Sequence, residues 1–100
     1  MNTEATAADS PAQPIIIDSR TPAEFAEGHL AGARLIDFNA GEVPAALETL
    51  DPNATYLLYC RSGNRSGQTA ALMLAAGFVS ATNLGTLAEA AEATGLDIVA

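Results

Sequence analysis

The sequence contains no tryptophan, no lysine and only one cysteine, and aromatic residues make up 5% of its 100 positions. The single cysteine, Cys60, excludes an intramolecular disulfide framework and any metal site that needs several cysteines. No apolar run approaches the ~18–20 residues that a membrane-spanning helix requires. Before Arg20 there is neither a basic residue nor the apolar stretch of a secretory signal peptide. We therefore expect a small soluble protein of the cytoplasm that contacts no membrane.

Size and composition favour one globular domain. A chain of 100 residues rarely holds a second hydrophobic core, and its 49% hydrophobic and 16% charged residues are ordinary for a folded protein. Residues 1–13 consist mainly of Ala, Ser, Thr, Pro and acidic residues without periodicity. This pattern predicts a mobile N-terminal tail, followed by a domain over residues 14–100.

The charges are distributed unevenly. The net charge is −8, yet no Asp or Glu occurs between Asp51 and Glu89, so residues 52–88 carry +2 and the remainder −10. An acidic surface repels the phosphate backbone, which argues against nucleic-acid binding. A local basic region inside an acidic shell suits a small anion instead.

Strand and helix signals alternate along the chain. Short apolar runs predict strands at residues 15–18, 33–38, 55–59 and 79–84. Helices are predicted from residue 22 to Gly28, over 43–50, over 68–76 and from residue 87 to Gly95; capping boxes at Thr21–Glu24 and Thr86–Glu89 mark two of their starts. This alternation predicts an α/β fold of three α/β/α layers with a small, mostly parallel central sheet.

The chemistry is concentrated where the third predicted strand ends, at Cys60. A thiolate there would face the unpaired N–H groups and the positive dipole end of the following helix. Arg61 and Arg65 add positive charge, and Gly63 lets several N–H groups converge. A buried structural cysteine is the common alternative, but an apolar core would not accept the polar residues that follow Cys60. We therefore expect a reactive thiol with a lowered pKa.

Two segments resemble the signatures of the rhodanese family, the thiosulfate sulfurtransferases. Residues 60–66, Cys-Arg-Ser-Gly-Asn-Arg-Ser, are similar to that family's active-site loop. Upstream, Asp18-Ser19-Arg20, Glu24-Phe25 and the segment 28–33 resemble its second signature at the usual distance. In that family the cysteine accepts a sulfane sulfur, becomes a persulfide and passes the sulfur to a nucleophile.

The resemblance implies a role for each loop residue. Cys60 would carry the sulfur, the backbone N–H groups from Arg61 to Arg65 would surround it, and the arginine side chains would attract thiosulfate. The substrate-binding residues would accordingly be Arg61, Ser62, Gly63, Asn64, Arg65 and Ser66. The acceptor would be cyanide, a thiol or a sulfur-acceptor protein, and neither a metal nor an organic cofactor is needed.

The hydroxyls of Ser62 and Ser66 either donate to Cys60 or cap the helix, and the sequence leaves both open. Asp18 and Arg20 either form an ion pair that orients the loop or simply complete turns of the chain. His29 has no neighbours at a metal-ligand spacing, so we expect a structural hydrogen bond there rather than a ligand or a general base.

Two departures from the family pattern are visible. The family usually has another strand and helix before the Asp-x-Arg segment, where this chain has the predicted tail. Its Gly-Gly-aromatic ending appears here as Leu84-Gly85-Thr86-Leu87. Neither departure lies in the loop that follows Cys60.

Two other functions remain open. The domain could be a non-catalytic persulfide carrier or redox-sensing module, or a phosphatase or arsenate reductase of the same fold. Cysteine-dependent phosphatases use a Cys-x5-Arg loop, whereas this sequence has Cys-x4-Arg between Cys60 and Arg65. The shorter loop favours sulfur transfer over phosphate chemistry.

Overall fold

A sheet of four parallel strands forms the centre of the protein. The computed structural model describes residues 13–100, so the predicted tail, apart from Gln13, lies outside the described residues. In chain order the elements are β1 (Ile15–Asp18), α1 (Pro22–Glu27), β2 (His29–Leu30), β3 (Arg34–Leu35), α2 (Val43–Leu47), β4 (Thr55–Cys60), α3 (Asn64–Ala75), β5 (Ser80–Thr86), α4 (Leu87–Thr94) and β6 (Ile98–Val99). Across the sheet the strand order is β3-β1-β4-β5.

The two central strands are apolar on both faces because helices cover both sides of the sheet. Ile17 and Leu58 belong to one core cluster, together with Met73 of α3. Ile16 packs in a second cluster that contains Ala90 of α4. Successive side chains of a strand point to opposite faces, which is why neighbouring isoleucines enter different clusters. The predicted α/β fold with three layers and a mostly parallel sheet is confirmed.

Capping fixes where two of the helices begin. The Thr21 hydroxyl accepts the Glu24 N–H at 3.3 Å, and the Glu24 carboxylate accepts the Thr21 N–H at 3.0 Å. Thr86 and Glu89 repeat the same exchange at the start of α4. Both predicted capping boxes are confirmed, and the helices end at Gly28 and Gly95 as expected.

Several predicted bounds were wrong. α3 begins at Asn64 rather than Gln68, because the polar residues of the loop already form its first turn. The strand predicted over 33–38 contains only Arg34–Leu35, and α2 ends at Leu47 rather than residue 50. The antiparallel pair of β2 and β6 was missed, because two-residue strands have no recognisable period.

An irregularity in β5 bears on the site. Leu58 pairs with Asn83, but the next residue, Tyr59, pairs with Gly85, so Leu84 is an extra residue on β5. Such bulges turn a strand and redirect its side chains. No helix among residues 13–100 is both long enough and apolar enough to cross a membrane.

Candidate functional site

Cys60 is the last residue of β4, and α3 begins four residues later. The neighbouring strands β1 and β5 run parallel to β4 and end at Asp18 and Thr86. Parallel strands present their carboxyl ends at one edge of the sheet, which is where ligands bind in open α/β sheets. The thiol therefore lies at this edge, directly before the amino end of a twelve-residue helix.

The Cys60 sulfur is fully buried and hydrogen-bonded. The Gly63 N–H donates to it at 3.0 Å, and the Ser66 Oγ lies 3.3 Å away. Burial raises the pKa of the Cys60 thiol, but hydrogen bonds from the Ser66 hydroxyl and from the N–H groups of Ser66, Ser62 and Gly63 outweigh burial and lower it to about 7. The sequence predicted lowering by backbone N–H groups, the helix dipole and the arginine charges, and the largest lowering contributions are hydrogen bonds from N–H groups and from the Ser66 hydroxyl.

Most of the other loop residues are exposed or half-buried. Arg61, Ser62 and Asn64 are exposed. Gly63 precedes the helix with a φ of 94°, a left-handed conformation that a side chain would strain. The Ser62 hydroxyl accepts the Asn64 N–H at 3.3 Å, so of the two serines only Ser66 has its hydroxyl within hydrogen-bond distance of Cys60.

Arg65 is held by α1. Its two terminal nitrogens donate to the two carboxylate oxygens of Glu24 at 2.9 and 3.1 Å. Glu24 also accepts from Thr21 in the capping box, so one carboxylate joins the start of α1 to the start of α3. The Arg65 guanidinium lowers the pKa of Glu24 to about 2. The two arginines of the loop therefore differ: Arg65 forms an ion pair with Glu24, whereas Arg61 is exposed.

Asp18 and Arg20 form a buried ion pair with N–O distances of 2.8 to 3.1 Å. Arg20 also donates to the Gly28 carbonyl at 2.6 Å, which anchors the end of α1. Its guanidinium lies 5.6 Å from the centre of the Tyr59 ring, next to Cys60 in the chain. The predicted ion pair is present, and the Arg20 N–H also closes a turn onto Asp18 at 2.9 Å; an orienting effect of the pair on the loop after Cys60 stays a prediction.

His29 lies flat against Phe25, with ring centres 3.6 Å apart. Its Nδ1 is 2.8 Å from the Phe25 carbonyl, and since a carbonyl only accepts, Nδ1 carries the proton. Within residues 13–100, no hydrogen bond joins His29, Asp18 or Arg20 to Cys60. These three residues support the chain around α1 rather than the sulfur itself.

Two residues at the site were not singled out from the sequence. Asn83, at the β5 bulge, accepts the Ser66 hydroxyl at 2.7 Å and donates to the Gly63 carbonyl at 2.9 Å. Tyr59 is fully buried, and its hydroxyl accepts the Leu30 N–H at 3.0 Å. A polar residue inside a predicted strand was the available signal for Asn83, whereas Tyr59 looked like any aromatic strand residue.

A cavity opens at the other end of the strands, between Ile15, Arg34, Leu57 and Leu96. It lies away from Cys60 and contains no cluster of reactive groups. Among the described residues, no three His, Cys, Asp or Glu side chains are grouped to hold a metal ion. The candidate site is therefore the loop around Cys60.

Comparison with known proteins agrees with this geometry. The model of the Rhodanese-like domain family matches residues 2–88. A sulfurtransferase of Allochromatium vinosum is 34% identical over 70 residues, and the thiosulfate sulfurtransferase PspE of Escherichia coli is 31% identical over 75 residues. These alignments cover 70% and 75% of this chain. A solved structure described as rhodanese with anions from E. coli superimposes with a TM-score of 0.72 at 28% identity, over 87% of this chain and 98% of that one.

The matches to whole relatives are shorter. The aligned region spans 64% of the Allochromatium protein and 72% of PspE. It spans 56% of the thiosulfate sulfurtransferase GlpE of Pseudomonas putida, which is 36% identical over 64 residues, or 64% of this chain. The chain therefore spans less than two thirds of the length of the Allochromatium and Pseudomonas relatives.

Proposed function

The chain belongs to the rhodanese-like domain family, and on that premise we propose that it is a sulfurtransferase in which Cys60 carries a sulfane sulfur taken from thiosulfate. The observation that carries the proposal is the environment of the Cys60 sulfur. Hydrogen bonds from the Gly63 N–H and the Ser66 hydroxyl lower its pKa to about 7, so a large share is thiolate at neutral pH.

The first half-reaction loads the cysteine. The Cys60 thiolate attacks the outer sulfur of thiosulfate, the sulfur–sulfur bond of thiosulfate breaks, and sulfite leaves with the bonding electrons. Cys60 then holds a persulfide whose negative charge lies on the added sulfur, and the total charge is unchanged. The N–H groups of the loop are the donors available to that charge.

The second half-reaction returns the thiolate. A thiolate or cyanide ion attacks the added sulfur and takes it as a persulfide or thiocyanate, and the bonding electrons stay on the Cys60 sulfur, which is again a thiolate. Arg61, the exposed arginine of the loop, supports thiosulfate as the donor because it places a positive charge where a dianion would approach.

Loop size argues against the phosphatase and arsenate reductase alternatives. The loop from Cys60 to Arg65 has six residues, one fewer than the Cys-x5-Arg loop of cysteine-dependent phosphatases. Useful N–H contacts need distances near ~2.7–3.1 Å, and a contracted ring of donors fits one sulfur atom better than a phosphoryl group. We expect negligible hydrolysis of aryl phosphates and negligible reduction of arsenate.

Mass spectrometry of the intact protein tests the proposal. Treatment with thiosulfate should add one sulfur, and cyanide or excess small thiol should remove it. Cys60→Ser has nearly the same volume but no ionised sulfur, so it should fold, stay at its original mass and transfer nothing. Sulfur transfer by folded Cys60→Ser would contradict the assignment. So would efficient phosphatase activity in the unaltered protein that is lost in Cys60→Ser.

Turnover separates the enzyme from a persulfide carrier. An enzyme should pass sulfur repeatedly from thiosulfate to excess cyanide or small thiol, at a rate proportional to protein concentration. A carrier should gain the sulfur once and hold it when only small acceptors are present.

A further inference from the structure

The Ser66 hydroxyl has one proton and two possible acceptors. Its Oγ lies 3.3 Å from the Cys60 sulfur and 2.7 Å from the Asn83 Oδ1. A serine hydroxyl donates only once, although it can also accept. It therefore cannot donate to both neighbours at the same time.

The orientation of the Asn83 amide is fixed by two backbone groups. Its Nδ2 donates to the Gly63 carbonyl at 2.9 Å, and its Oδ1 accepts the Gly85 N–H at 3.0 Å. A carbonyl only accepts and an N–H only donates, so turning the amide over would break both hydrogen bonds. The atom that faces Ser66 is therefore an acceptor, and it competes with Cys60 for the hydroxyl proton.

We propose that Asn83 is a positioning residue that accepts the Ser66 hydroxyl hydrogen bond when the Cys60 sulfur is uncharged and loses it to the sulfur when the thiolate forms. In the thiol state, Cys60 S–H donates to Ser66, and Ser66 donates to Asn83. In the thiolate state, the Ser66 hydroxyl turns to the charged sulfur. Asn83 thus opposes the thiolate through Ser66, although it does not contact the sulfur.

Other charges around the thiol stay in place when Asn83 is replaced. None of the charged side chains in the surrounding elements hydrogen-bonds to Asn83. These side chains are the ion pair of Asp18 and Arg20, the ion pair of Glu24 and Arg65, Glu89 of the α4 capping box, and Arg61 of the loop. A change in Cys60 titration on replacing Asn83 can therefore be assigned to Ser66 or to the loop backbone.

A second consequence rests on the proposed function. Loading moves the negative charge from the Cys60 sulfur to the added sulfur, so the Ser66 hydroxyl can again donate its hydrogen bond to Asn83. Asn83 then favours the persulfide over the free thiolate. Without it, the equilibrium among thiosulfate, thiolate, persulfide and sulfite should contain less persulfide at a fixed sulfite-to-thiosulfate ratio.

The test is the pH dependence of Cys60 alkylation by iodoacetamide, which needs no sulfur transfer. Asn83→Ala frees the Ser66 hydroxyl and should increase the thiolate fraction roughly three- to ten-fold below the midpoint of the pH profile, as expected for one neutral hydrogen bond. Asn83→Leu removes the acceptor but keeps the shape, and it should act in the same direction. Thr82→Ala is the control, since neighbouring strand residues point to opposite faces.

A double variant of Ser66 and Asn83 distinguishes competition for the Ser66 hydroxyl from a purely structural role of Asn83. In a Ser66→Ala background, replacing Asn83 should leave the alkylation profile unchanged, because the shared hydroxyl is gone. A decrease or no change in thiolate on replacing Asn83 alone would overturn the proposal. So would an effect that persists without Ser66, since it would mean that Asn83 only anchors the loop through Gly63. If alkylation responds as expected but thiosulfate adds no sulfur, the proposed function fails, and the competition between Asn83 and Cys60 for the Ser66 hydroxyl is still supported.

Discussion

At the scale of single residues, hydrogen bonds to the Cys60 sulfur determine how readily its thiol ionises. The pKa of about 7 lies below the ~8.5 of a free cysteine, because N–H groups and one hydroxyl point at a buried sulfur. The pH midpoint of alkylation should therefore lie near 7 in the folded protein. The same chain unfolded in denaturant is the control, and its midpoint should return to the value of an ordinary thiol. Restricted access to the buried sulfur slows alkylation at every pH, and burial alone would raise the midpoint, so a folded midpoint equal to or above the unfolded one would contradict the hydrogen-bond argument.

Arg61 and Arg65 should differ in their effects on kinetics. Arg61→Ala removes an exposed charge from the mouth of the loop and should raise KM for thiosulfate roughly 5- to 30-fold, less at high salt, while kcat changes little. Arg34→Ala is the control, because it removes the charge of another exposed arginine, which lies on the edge strand β3 and lines the cavity away from Cys60. Arg65→Ala frees the loop from α1 and should lower kcat as well. Identical profiles for Arg61→Ala and Arg65→Ala would contradict this division of roles.

At the scale of elements, Glu24 joins the starts of α1 and α3. Its carboxylate pKa is lowered by Arg65 to about 2, from an unfolded value near 4.3. The pair therefore stabilises the fold fully above the unfolded pKa, and that stabilisation is lost as pH falls towards 2.

Glu24→Gln should accordingly lower the free energy of unfolding at pH 7, on the order of 1 kcal/mol for a partly exposed pair. The difference from the unaltered protein should shrink at pH 3. Glu27→Gln, at the exposed end of the same helix, is the control and should change little. Denaturant unfolding at both pH values measures the effect. A Glu24→Gln difference that stays constant with pH would show that the pair does not stabilise the fold.

The element scale also separates what the sequence could predict from what it could not. Capping boxes are local, so the starts at Thr21 and Thr86 were predicted correctly. The loop after Cys60 is a contiguous motif, so it could be proposed as the site from the sequence for the same reason. Asn83 lies 23 positions from Cys60, and its role depends on a bulge that shifts the register by one residue. No local pattern encodes that shift, and the pairing of Glu24 with Arg65 across 41 positions is equally invisible.

At the scale of the whole molecule, the core on the α3 face of the sheet holds the site in place. Met73 is fully buried on α3, whereas its neighbour Leu72 is 47% exposed. Met73→Ala should cost roughly 2–5 kcal/mol of unfolding free energy, and Leu72→Ala should change it by at most about 0.5 kcal/mol. Denaturant titration of both variants measures the difference. Equal losses would mean that α3 does not pack as described.

The complete burial of the Cys60 sulfur has a consequence for regiochemistry. An acceptor thiol could attack either sulfur of a persulfide, but only attack on the outer one transfers sulfur. Attack on the inner sulfur would release hydrogen sulfide and leave Cys60 trapped in a mixed disulfide. The added atom of a Cys60 persulfide would stand about 2 Å further out, so the residues that bury Cys60 would shield the inner sulfur and leave the outer one accessible. If Cys60 carries sulfur as proposed, this shielding would prevent a dead-end adduct, and excess small thiol should return Cys60 free rather than thiolated.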